Sequence, residues 1–559
     1  MSSKPAPNSP CPCGSGKKFK KCCKDAIRQA APPSFDIPKT LDTAINFVKQ
    51  GDLEAASRLY LEILKVDPEN PDSLAWMGVI AFKSGMVDSA VALLKRAIVI
   101  CPTSFDFHNL LISVFADTGE QENAFEWRRR AINIRFDANP NNPVSKIEKI
   151  RLQWLLDIVM AAGASNETIL QDCRAWLSNS HLGQIELEPL KIVRQKDGPL
   201  RIGYLSSFLN YHNYYQPLYC FFTDFDEMHF EVYVYNFGEP APALENGCRA
   251  KIRDLRSADS ADAIRQIRQD DIDILVDLNA FADIRTVELL CHRIAPVQII
   301  LGNVFHTTCI PTVDYLIAYE SSISQSESKF YSETIVQLPD CCIPITLPKD
   351  DSTVSAPPYL GNGYFTFGCF SSAVKINKPV VELWAKVLHA CPNSRFMFKG
   401  PSNIQKLFVS IMEKQGIDLG RLIIGGQTGY HQYLESYTKV DLVLDTFPYN
   451  GCTTTMEALG MGVPVIALNG DRWISRVATT LLRSIGMDNL VAENHEAYLN
   501  IACRFYRHPN LAGDLRGILR QKIIDSQSSA GKSPFLFEME SVYQWMWQRY
   551  LDKQHTKRQ

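Results

Sequence analysis

The sequence repeats with a period of 34 residues between Pro38 and about Phe136. Small residues recur at this spacing in two series, Gly51, Gly85 and Gly119, and Ala56, Ala90 and Ala124. Prolines follow at the same period, at Pro68 and Pro102. A small residue lets two paired helices pack closely, and a proline ends the second helix of a pair. The period therefore predicts three helix pairs over residues 38–138, stacked as a short solenoid.

These repeats resemble tetratricopeptide repeats, which form an all-α array. Stacked helix pairs of this kind offer a concave surface to extended peptides or helices. We therefore expect the array to recruit a protein partner or a protein substrate. A dimerisation face and a rigid spacer are the alternatives, because repeats alone do not indicate an activity.

Four of the 16 cysteines fall within the first 23 residues, in the segment CPCGSGKKFKKCC. They are Cys11, Cys13, Cys22 and Cys23. Four thiolates that converge across a tight turn suit a tetrahedral zinc ion and leave it no open position for catalysis. The segment resembles the SEC-C motif, the small zinc element of the SecA translocation ATPase. We predict a SEC-C zinc-binding motif over residues 1–27 that holds a structural zinc. A disordered tail with fortuitous cysteines is the alternative.

The overall charge is nearly balanced, with 58 Lys and Arg against 61 Asp and Glu, for a formal net charge of −3. Such a chain has no general attraction for nucleic acid, so a polyanion would need a local basic patch. The predicted zinc element is one such patch, because five lysines lie between residues 17 and 24. It is either a docking surface for an acidic partner or a solvated loop.

Apolar segments that would indicate export or membrane insertion are missing from the sequence. No apolar signal segment begins it, and no apolar run reaches 18 residues. The scattered cysteines then fit a reducing compartment, in which they stay free thiols. We therefore expect a cytoplasmic protein with no membrane partner.

Residues 139–198 are irregular except for a stretch from Ile147 to Ala162 with apolar residues at helical spacing. We interpret this section as a helical connector. After it, short apolar runs alternate with amphipathic helices in two series, separated by the linker PPYLGNG. The runs of the first series are RIGYLSS, FEVYVYNF, IDILVDLN and VQIILGN, and those of the second are YFTFGCF, SRFMFKG, RLIIGGQ, VDLVLDT and VPVIALN. Continuous apolar runs of this length are typical of buried parallel strands.

The two series predict two open α/β lobes, over residues 199–356 and 357–530, followed by a C-terminal helix over residues 531–559. Two such lobes place a ligand cleft at the carboxyl ends of their strands. The fingerprints GxGxxG and GxxxxGK[ST] are both missing from the sequence, which argues against a dinucleotide oxidoreductase and a P-loop NTPase.

Two stretches of the second lobe place chemical groups at the ends of predicted strands. In LDTFPYNGCTTTMEAL, a strand is followed by a turn, by Thr453 and Thr454, and by a helix that begins near Thr455. Hydroxyls and backbone N–H groups at a helix N-terminus form an anion site suited to a diphosphate. Glu457, one turn into that helix, would face the hydroxyls of a nucleotide or a sugar. In FTFGCFSSAVKINKP, Lys375 lies after a strand, where a fixed cation can neutralise a departing phosphate.

Together with the segments APVQ and PTVDY, these stretches resemble the O-linked N-acetylglucosamine transferase family, glycosyltransferase family 41. The similarity runs in collinear order from about Pro199 to Phe505. It implies the GT-B fold of two doubly wound Rossmann-like lobes, here preceded by the tetratricopeptide array and the zinc element. It also implies a nucleotide sugar as co-substrate, inversion without an active-site metal, and glycosylation of protein Ser or Thr, with Asn in some relatives.

The resemblance implies a role for each matching residue. Lys375 binds the diphosphate and stabilises the leaving group, while Thr453 and Thr454 hold the phosphates. Glu457 stands for an acidic residue near the ribose. In GYLSSFLNYH, His212 takes the position of a histidine that lines the acceptor and sugar pocket, and it is the candidate general base. The alternatives are a solvated loop lysine at 375 and a histidine that only packs at 212. The other donor-binding positions are Ser372, Gln427, Thr428, Tyr433 and Cys452.

Several positions depart from the family's pattern. Phe208 stands where Asp is usual, Ala280 and Phe281 replace a Gly-His pair, and a Gly-Tyr-Pro-Gly loop has become GNVFH over residues 302–306. Three donor positions also differ, namely Ser372 for a polar amide, Cys452 for Gly or His, and Tyr433 for a His that stacks on the base. A tyrosine ring can still stack on a base. The phosphate-holding positions are therefore kept, and those that face the sugar and the acceptor are altered.

The sequence thus predicts a protein O-glycosyltransferase that transfers a sugar to Ser or Thr of a protein acceptor. UDP-N-acetylglucosamine is the favoured donor, whereas transfer of glucose or fucose and modification of Asn stay open. A non-catalytic adaptor with degenerate transferase lobes is the alternative from another class. A sugar-nucleotide epimerase of similar fold is less favoured, because such enzymes have no evident need for a recruiting array.

Overall fold

The computed structural model describes residues 9, 18, 35–118, 120–135, 144–161, 163–188, 190, 198–210, 218–240, 247–302, 304–340, 343–344, 354–426, 428–527 and 533–558. The chain divides into two compact units, residues 1–120 and 121–559. Three groups of predicted site residues lie outside the described residues: the four N-terminal cysteines with their predicted zinc, His212, and Gln427. No helix of the described residues is both long enough and apolar enough to cross a membrane.

In its described residues the first unit contains five helices, α1 (Ile37–Gln50), α2 (Leu53–Val66), α3 (Pro71–Lys83), α4 (Val87–Ile100) and α5 (Phe105–Asp117). Asp36, Asp52 and Asn70 begin the first three helices, each accepting a hydrogen bond from a backbone N–H of the first turn. Such caps satisfy N–H groups that have no partner inside the helix.

The two series of repeated small residues serve different purposes. Ala56 and Ala90 are fully buried, as close packing of helix pairs requires. Gly51 and Gly85 instead lie in the turns within the pairs, with φ of 85° and 80°. Because this left-handed conformation disfavours any side chain, glycine is needed there. The sequence period is therefore confirmed as a helix-pair period, with Gly51 and Gly85 as turn residues. Gly119 lies outside the described residues.

Three helices open the second unit, α6 (Gln121–Ile132), α7 (Val144–Met160) and α8 (Asn166–Asn179), followed by a short 3₁₀ helix (His181–Gln184). Arg129 of α6 forms an ion pair with Asp172 of α8 at 2.9 Å. Arg151 of α7 is almost fully buried and donates to the carbonyl of Ile132 at 3.0 Å. These contacts bind the three helices into one layer.

The first sheet has seven parallel strands in the order β3-β2-β1-β4-β5-β6-β7. The strands are β1 (Leu200–Ser206), β2 (Phe230–Asn236), β3 (Lys251–Asp254), β4 (Ile274–Asp277), β5 (Val297–Leu301), β6 (Tyr315–Tyr319) and β7 (Thr334–Leu338). The helices in the described residues of this part are α9 (Cys220–Thr223), α10 (Ser260–Gln269) and α11 (Ile284–Leu290). The strand order reverses between β1 and β4.

The second sheet has six parallel strands in the order β10-β9-β8-β11-β12-β13, and it reverses between β8 and β11. The strands are β8 (Phe365–Cys369), β9 (Ser394–Lys399), β10 (Leu422–Gly425), β11 (Leu442–Leu444), β12 (Val465–Leu468) and β13 (Val491–Ala492). The helices are α12 (Tyr359–Asn362), α13 (Lys378–Ala390), α14 (Ser402–Lys414), α15 (Tyr430–Glu435), α16 (Thr453–Gly460), α17 (Val477–Ser484), α18 (His495–Arg507) and α19 (Asn510–Gln527). Two doubly wound parallel sheets confirm the expected GT-B architecture.

The last helix, α20 (Pro534–Arg558), returns to the first lobe. Its residues Phe535, Met539 and Tyr543 are buried in the core that also holds β1 and β4. The hydroxyls of Tyr543 and Tyr204 are 3.0 Å apart inside that core. The first lobe is thus completed by a segment that follows the whole second lobe in sequence.

Candidate functional site

Two loops meet at the point where the second sheet reverses its order. One follows β8 and contains residues 370–377, and the other follows β11 and contains residues 445–452. Open parallel sheets bind ligands at the carboxyl ends of the strands at such a point. The two stretches that the sequence analysis singled out therefore lie where a ligand is expected.

Lys375 ends a short 3₁₀ helix, Ala373–Lys375, on the first of these loops. Its side chain is buried, with 8% of the residue exposed. The ammonium donates to the carbonyl of Asn450 at 2.7 Å and lies 4.0 Å from the centre of the Tyr449 ring. Burial lowers the pKa of Lys375, whereas the nearby Asp445 carboxylate opposes this shift. In the described part of the chain no carboxylate forms an ion pair with this cation.

The second loop is held by its own polar groups. The buried Asp445 carboxylate accepts from the N–H of Gly451 at 2.8 and 3.0 Å, and the amide of Asn450 donates to the carbonyl of Thr446 at 2.9 Å. Burial raises the pKa of Asp445 to about 6, although Lys375 acts in the other direction. A Cβ at Gly451 would collide with the Thr455 hydroxyl and lie 2.8 Å from the Asp445 carboxylate. Only glycine fits at this position.

Helix α16 starts at the end of this loop, so Thr453 and Thr454 occupy its first turn, two residues before the predicted start. Thr453 is exposed and Thr454 is half-buried. Cys452 precedes the helix, and its side chain does not cap it. Burial raises the pKa of the Cys452 thiol, and Lys375 opposes the shift. The helix N-terminus and the Lys375 cation thus face the same loop, an arrangement that favours an anion.

Glu457 lies within α16 and is buried, with 4% of the residue exposed. Its carboxylate accepts from the Tyr433 hydroxyl at 2.8 Å. Burial raises the pKa of Glu457 to about 7, against the effect of hydrogen bonds from Tyr433 and Tyr430. Tyr433 also shares a 2.8 Å hydrogen bond with the Tyr437 hydroxyl. The predicted ribose and base positions therefore form one hydrogen-bonded group of side chains.

Tyr433 is half-buried, and its ring packs against other aromatic rings. Tyr430 stacks on it at 6.2 Å between ring centres, and Tyr437 and Phe370 meet it edge to face. Tyr430 itself is 43% exposed. Of these rings, Tyr430 offers the most surface to a ligand.

Lys399 is a further candidate site residue, which the sequence analysis did not identify. It ends β9, and its ammonium donates to the hydroxyls of Thr428 and Ser436, both at 2.9 Å. Burial lowers the pKa of Lys399, and Lys439 adds to the shift. The available signal was a lysine at the carboxyl end of the predicted strand SRFMFKG, one strand away from the Lys375 loop. Ser372, by contrast, is exposed, and its carbonyl accepts from the N–H of Lys375 at 3.0 Å.

The reversal point of the first sheet carries a second polar group of residues. Ser207, just after β1, donates its hydroxyl to Asp283 and its N–H to the side-chain oxygen of Asn279 at 2.8 Å. Arg285 donates to the same Asp283 carboxylate at 2.7 Å. Burial alone would raise the pKa of Asp283, but the hydrogen bonds from Arg285 and Ser207 outweigh it and hold the pKa below its usual value.

Two of the departures from the family's pattern are buried here. Ala280 and Phe281 are 1% and 2% exposed, and Ala280 has a φ of 52°. Phe281 packs against Trp176 of α8 and against His306, with ring centres 5.3 and 5.1 Å apart. These positions therefore serve packing between the first lobe and α8.

The two lobes contact each other beside the Lys375 loop. Phe305 of the first lobe lies 6.1 Å from Tyr449 and 5.6 Å from Trp473 between ring centres. Arg476 of the second lobe forms a two-pronged ion pair with Glu327 of the first, at 2.7 and 3.0 Å. These contacts join the loop after β5 and the segment between β6 and β7 to the second lobe.

Three family models match the chain. The model described as Glycosyl transferase family 41 matches residues 180–343 and 357–536. A tetratricopeptide repeat model matches residues 41–105, and the SEC-C motif matches residues 8–25.

Similar curated proteins include plant proteins named probable UDP-N-acetylglucosamine–peptide N-acetylglucosaminyltransferase SPINDLY. The chain is 33% identical to that of Petunia hybrida over 343 residues, which cover 58% of this chain and 36% of the relative. It is 32% identical to that of Solanum lycopersicum over 370 residues, covering 63% of this chain and 39% of the relative. The chain therefore spans less than half the length of these relatives.

A solved structure of a mutant O-GlcNAc transferase from Thermobaculum terrenum is also similar. It aligns with a TM-score of 0.70 at 26% identity, covering 92% of this chain and 98% of that one. The likeness thus extends over almost the whole length of both chains.

Proposed function

The chain belongs to glycosyl transferase family 41, and from this premise we propose that it is a protein O-glycosyltransferase. It would transfer N-acetylglucosamine from UDP-N-acetylglucosamine to Ser or Thr of a protein acceptor. The names of the plant relatives and of the Thermobaculum protein support this donor and this reaction.

The observation that carries the proposal is the anion site at the reversal point of the second sheet. Lys375 and the N-terminus of α16 with Thr453 and Thr454 face one loop, and a glycine there lets the loop run close to the helix. A fixed cation and a helix N-terminus suit the two phosphates of a nucleotide sugar. The main catalytic contribution would be stabilisation of the departing diphosphate.

In the proposed reaction the acceptor hydroxyl oxygen forms a bond to the anomeric carbon of the sugar. The bond from that carbon to the diphosphate oxygen breaks, and the electron pair leaves with the nucleoside diphosphate. Lys375 neutralises the charge that develops on the leaving oxygen. His212 is the proposed base for the hydroxyl proton, on the strength of its place in the sequence motif.

The nucleoside would lie along the other donor residues. We propose that Glu457 binds the ribose and that Gln427, Thr428 and Tyr433 line the base, with Ser372 and Cys452 near the phosphates and the sugar. Lys399 joins this set, because it holds Thr428 in place through a hydrogen bond. Transfer of glucose or fucose, or attack by Asn, would use the same phosphate contacts.

The N-terminal parts would serve recruitment. We propose that the tetratricopeptide repeats bind the protein acceptor and that the basic SEC-C element binds a further partner. Four cysteine thiolates without other donors fit a structural zinc. The ten free thiols among the described cysteines support a reducing compartment such as the cytoplasm.

The test is transfer by the full chain and its Lys375→Met variant, with a panel of UDP-N-acetylglucosamine, UDP-glucose and GDP-fucose. Protein acceptors are analysed by mass spectrometry, and binding of UDP and GDP by calorimetry. We expect the variant to lose at least about 100-fold in transfer. Lys378→Met is the matched control, because the Lys378 side chain is 74% exposed on the next helix.

Full transfer by Lys375→Met would overturn the proposed mechanism. No binding of either diphosphate at millimolar concentration would replace the enzyme with the non-catalytic adaptor. Transfer from a donor other than UDP-N-acetylglucosamine would correct the sugar and leave the reaction class in place.

A further inference from the structure

We propose that Tyr449 is a positioning residue for Lys375, and that Phe305 of the first lobe holds the Tyr449 ring in place. The inference rests on the proposed function, since it takes Lys375 as the cation that meets the diphosphate. In this arrangement residues of both lobes hold the Lys375 cation of the donor site in position.

The contact between Lys375 and Tyr449 has the geometry of a cation–π interaction. The ammonium nitrogen lies 4.0 Å from the ring centre, well within the distance at which such contacts are attractive. The attraction strengthens when the cation is shielded from water, and Lys375 is almost wholly buried. The ring therefore stabilises the charged form of a lysine that burial would otherwise tend to neutralise.

The ring also restricts where the ammonium can point. One N–H of Lys375 is used by the carbonyl of Asn450 at 2.7 Å. The Tyr449 ring lies on a second side of the ammonium. Its aromatic face attracts the cation but offers no strong acceptor atom for a hydrogen bond. The remaining N–H is directed by these two contacts. A lysine held in this way presents its proton in one direction, as a phosphate oxygen requires.

Tyr449 is itself well fixed and uncharged. Its carbonyl accepts from the Thr446 hydroxyl at 2.7 Å, and the next N–H in the chain, that of Asn450, donates to the carbonyl of Ile474 at 3.2 Å. Burial raises the pKa of the Tyr449 hydroxyl to about 12. The side chain therefore stays a neutral phenol, so that the contact with Lys375 is not an ion pair.

The other side of this arrangement comes from the first lobe. Phe305 meets Tyr449 at 6.1 Å and stands edge to face against Trp473 at 5.6 Å. Its neighbours Val304 and His306 are 2% and 4% exposed, so the loop that carries Phe305 is anchored in the first lobe. The ring beneath Lys375 is thus packed against a residue of the opposite lobe. Separation of the lobes would remove that support.

The test compares Tyr449→Phe with Tyr449→Leu in the full chain. Phe keeps the aromatic face, whereas Leu keeps an apolar side chain without it. We expect Tyr449→Phe to retain kcat within about twofold and Tyr449→Leu to lose about 5- to 30-fold, the range of a shielded cation–π contact. The alkaline limb of the kcat profile should move to lower pH in Tyr449→Leu only, because the loss of the ring favours neutral Lys375.

A double variant separates positioning from a general effect on the fold. In a Lys375→Met background, Tyr449→Leu should cause no further loss of UDP affinity by calorimetry, because the cation that it supports is gone. Phe305→Leu should change kcat and the alkaline limb in the same direction as Tyr449→Leu, by a smaller factor. Tyr449→Met serves as a second non-aromatic variant if Tyr449→Leu does not fold.

Three results would overturn the inference. These are wild-type kcat in Tyr449→Leu, equal losses in Tyr449→Phe and Tyr449→Leu, or an undiminished effect of Tyr449→Leu in the Lys375→Met background. A Lys375→Met variant with full activity would instead refute the proposed function, so the two failures are distinguishable.

Discussion

The reversal points of the two sheets have the same topology but use their polar groups differently. In the first lobe, Ser207, Asn279, Asp283 and Arg285 mostly hydrogen-bond with one another. In the second lobe, Lys375 is held by a backbone carbonyl and a ring, with no carboxylate paired to it among the described residues. In the first lobe the charged groups pair with one another. In the second lobe the Lys375 cation is left for a ligand.

This difference separates stability from ligand binding. A carboxylate with its own arginine contributes to the fold and adds little to the attraction of an external anion. A buried cation without a carboxylate partner is costly to the fold and gains most when a diphosphate arrives. We therefore expect changes at the second reversal point to act mainly on donor binding, and changes at the first to act mainly on stability.

The largest effect should follow Gly451→Ala. Its Cβ would collide with the Thr455 hydroxyl and the Asp445 carboxylate, so the loop that carries Tyr449 must move. A displacement of about 1 Å at a reacting centre costs about 100-fold in rate, and we expect a loss of that order in transfer. Gly361→Ala is the control, since nothing lies within 4 Å of its Cβ. Retained activity in Gly451→Ala would contradict the expectation that changes at the second reversal point act on the donor site.

Above pH 7, where the Glu457 carboxylate is charged, Glu457→Gln should lower nucleotide affinity about tenfold, because a charged acceptor near the ribose becomes neutral. Calorimetry with UDP measures this. The exposed carboxylate Glu435, 56% exposed in its side chain, gives the control Glu435→Gln. Unchanged affinity in Glu457→Gln would remove this residue from the donor site.

The same variant predicts a pH dependence of stability. The pKa of Glu457 is raised from 4.5 to about 7 in the fold, so its contribution to stability is present below pH 4.5 and lost as the pH rises to 7. Glu457→Gln should therefore gain Tm relative to the wild type between these values and keep the gain above pH 7. A difference in Tm that stays constant with pH would contradict the assignment.

Lys399→Met should weaken UDP binding about fivefold, since it removes a charged donor to Thr428 and Ser436. Lys439→Met removes an exposed cation nearby and serves as the control for a general charge effect. Equal losses of UDP affinity in the two variants would mean that Lys399 acts only through its charge and not through its hydrogen bonds.

The smallest effect on donor binding should come from Ser207→Ala. It removes one hydrogen bond to Asp283 in the first lobe and should cost about 1 kcal/mol in the free energy of unfolding. UDP affinity should change less than about twofold. A large loss of UDP affinity with unchanged stability would reverse the comparison between the two lobes.

Sequence patterns predicted most of both sheets, because buried parallel strands are continuous apolar runs. The strands that they missed in the first lobe are β3, β6 and β7. β3 and β7 lie at the edges of the sheet, and of their nine residues only Leu338 is buried. β6 was missed although four of its five residues are buried. In the second lobe β13 was missed, since it has only two residues. An edge strand shows no apolar run, so composition alone does not reveal it.

The site was predictable where it depends on local chain geometry. A lysine after a strand and two threonines before a helix are visible in the sequence. The contacts of Tyr449 with Lys375 and Phe305 join three segments distant in sequence, as does the contact of Lys399 with Thr428. Such contacts depend on how loops of different strands fold together, and no periodic pattern records them.

The return of α20 to the first lobe has a consequence for synthesis. The apolar surface that Phe535, Met539 and Tyr543 cover remains open while the ribosome makes the whole second lobe. At roughly 5–20 residues per second, the 195 positions between Leu338 and Pro534 take about 10–40 s to translate. During that interval the unfinished first lobe exposes an apolar surface that is prone to aggregation, and a chaperone at the ribosome could bind it.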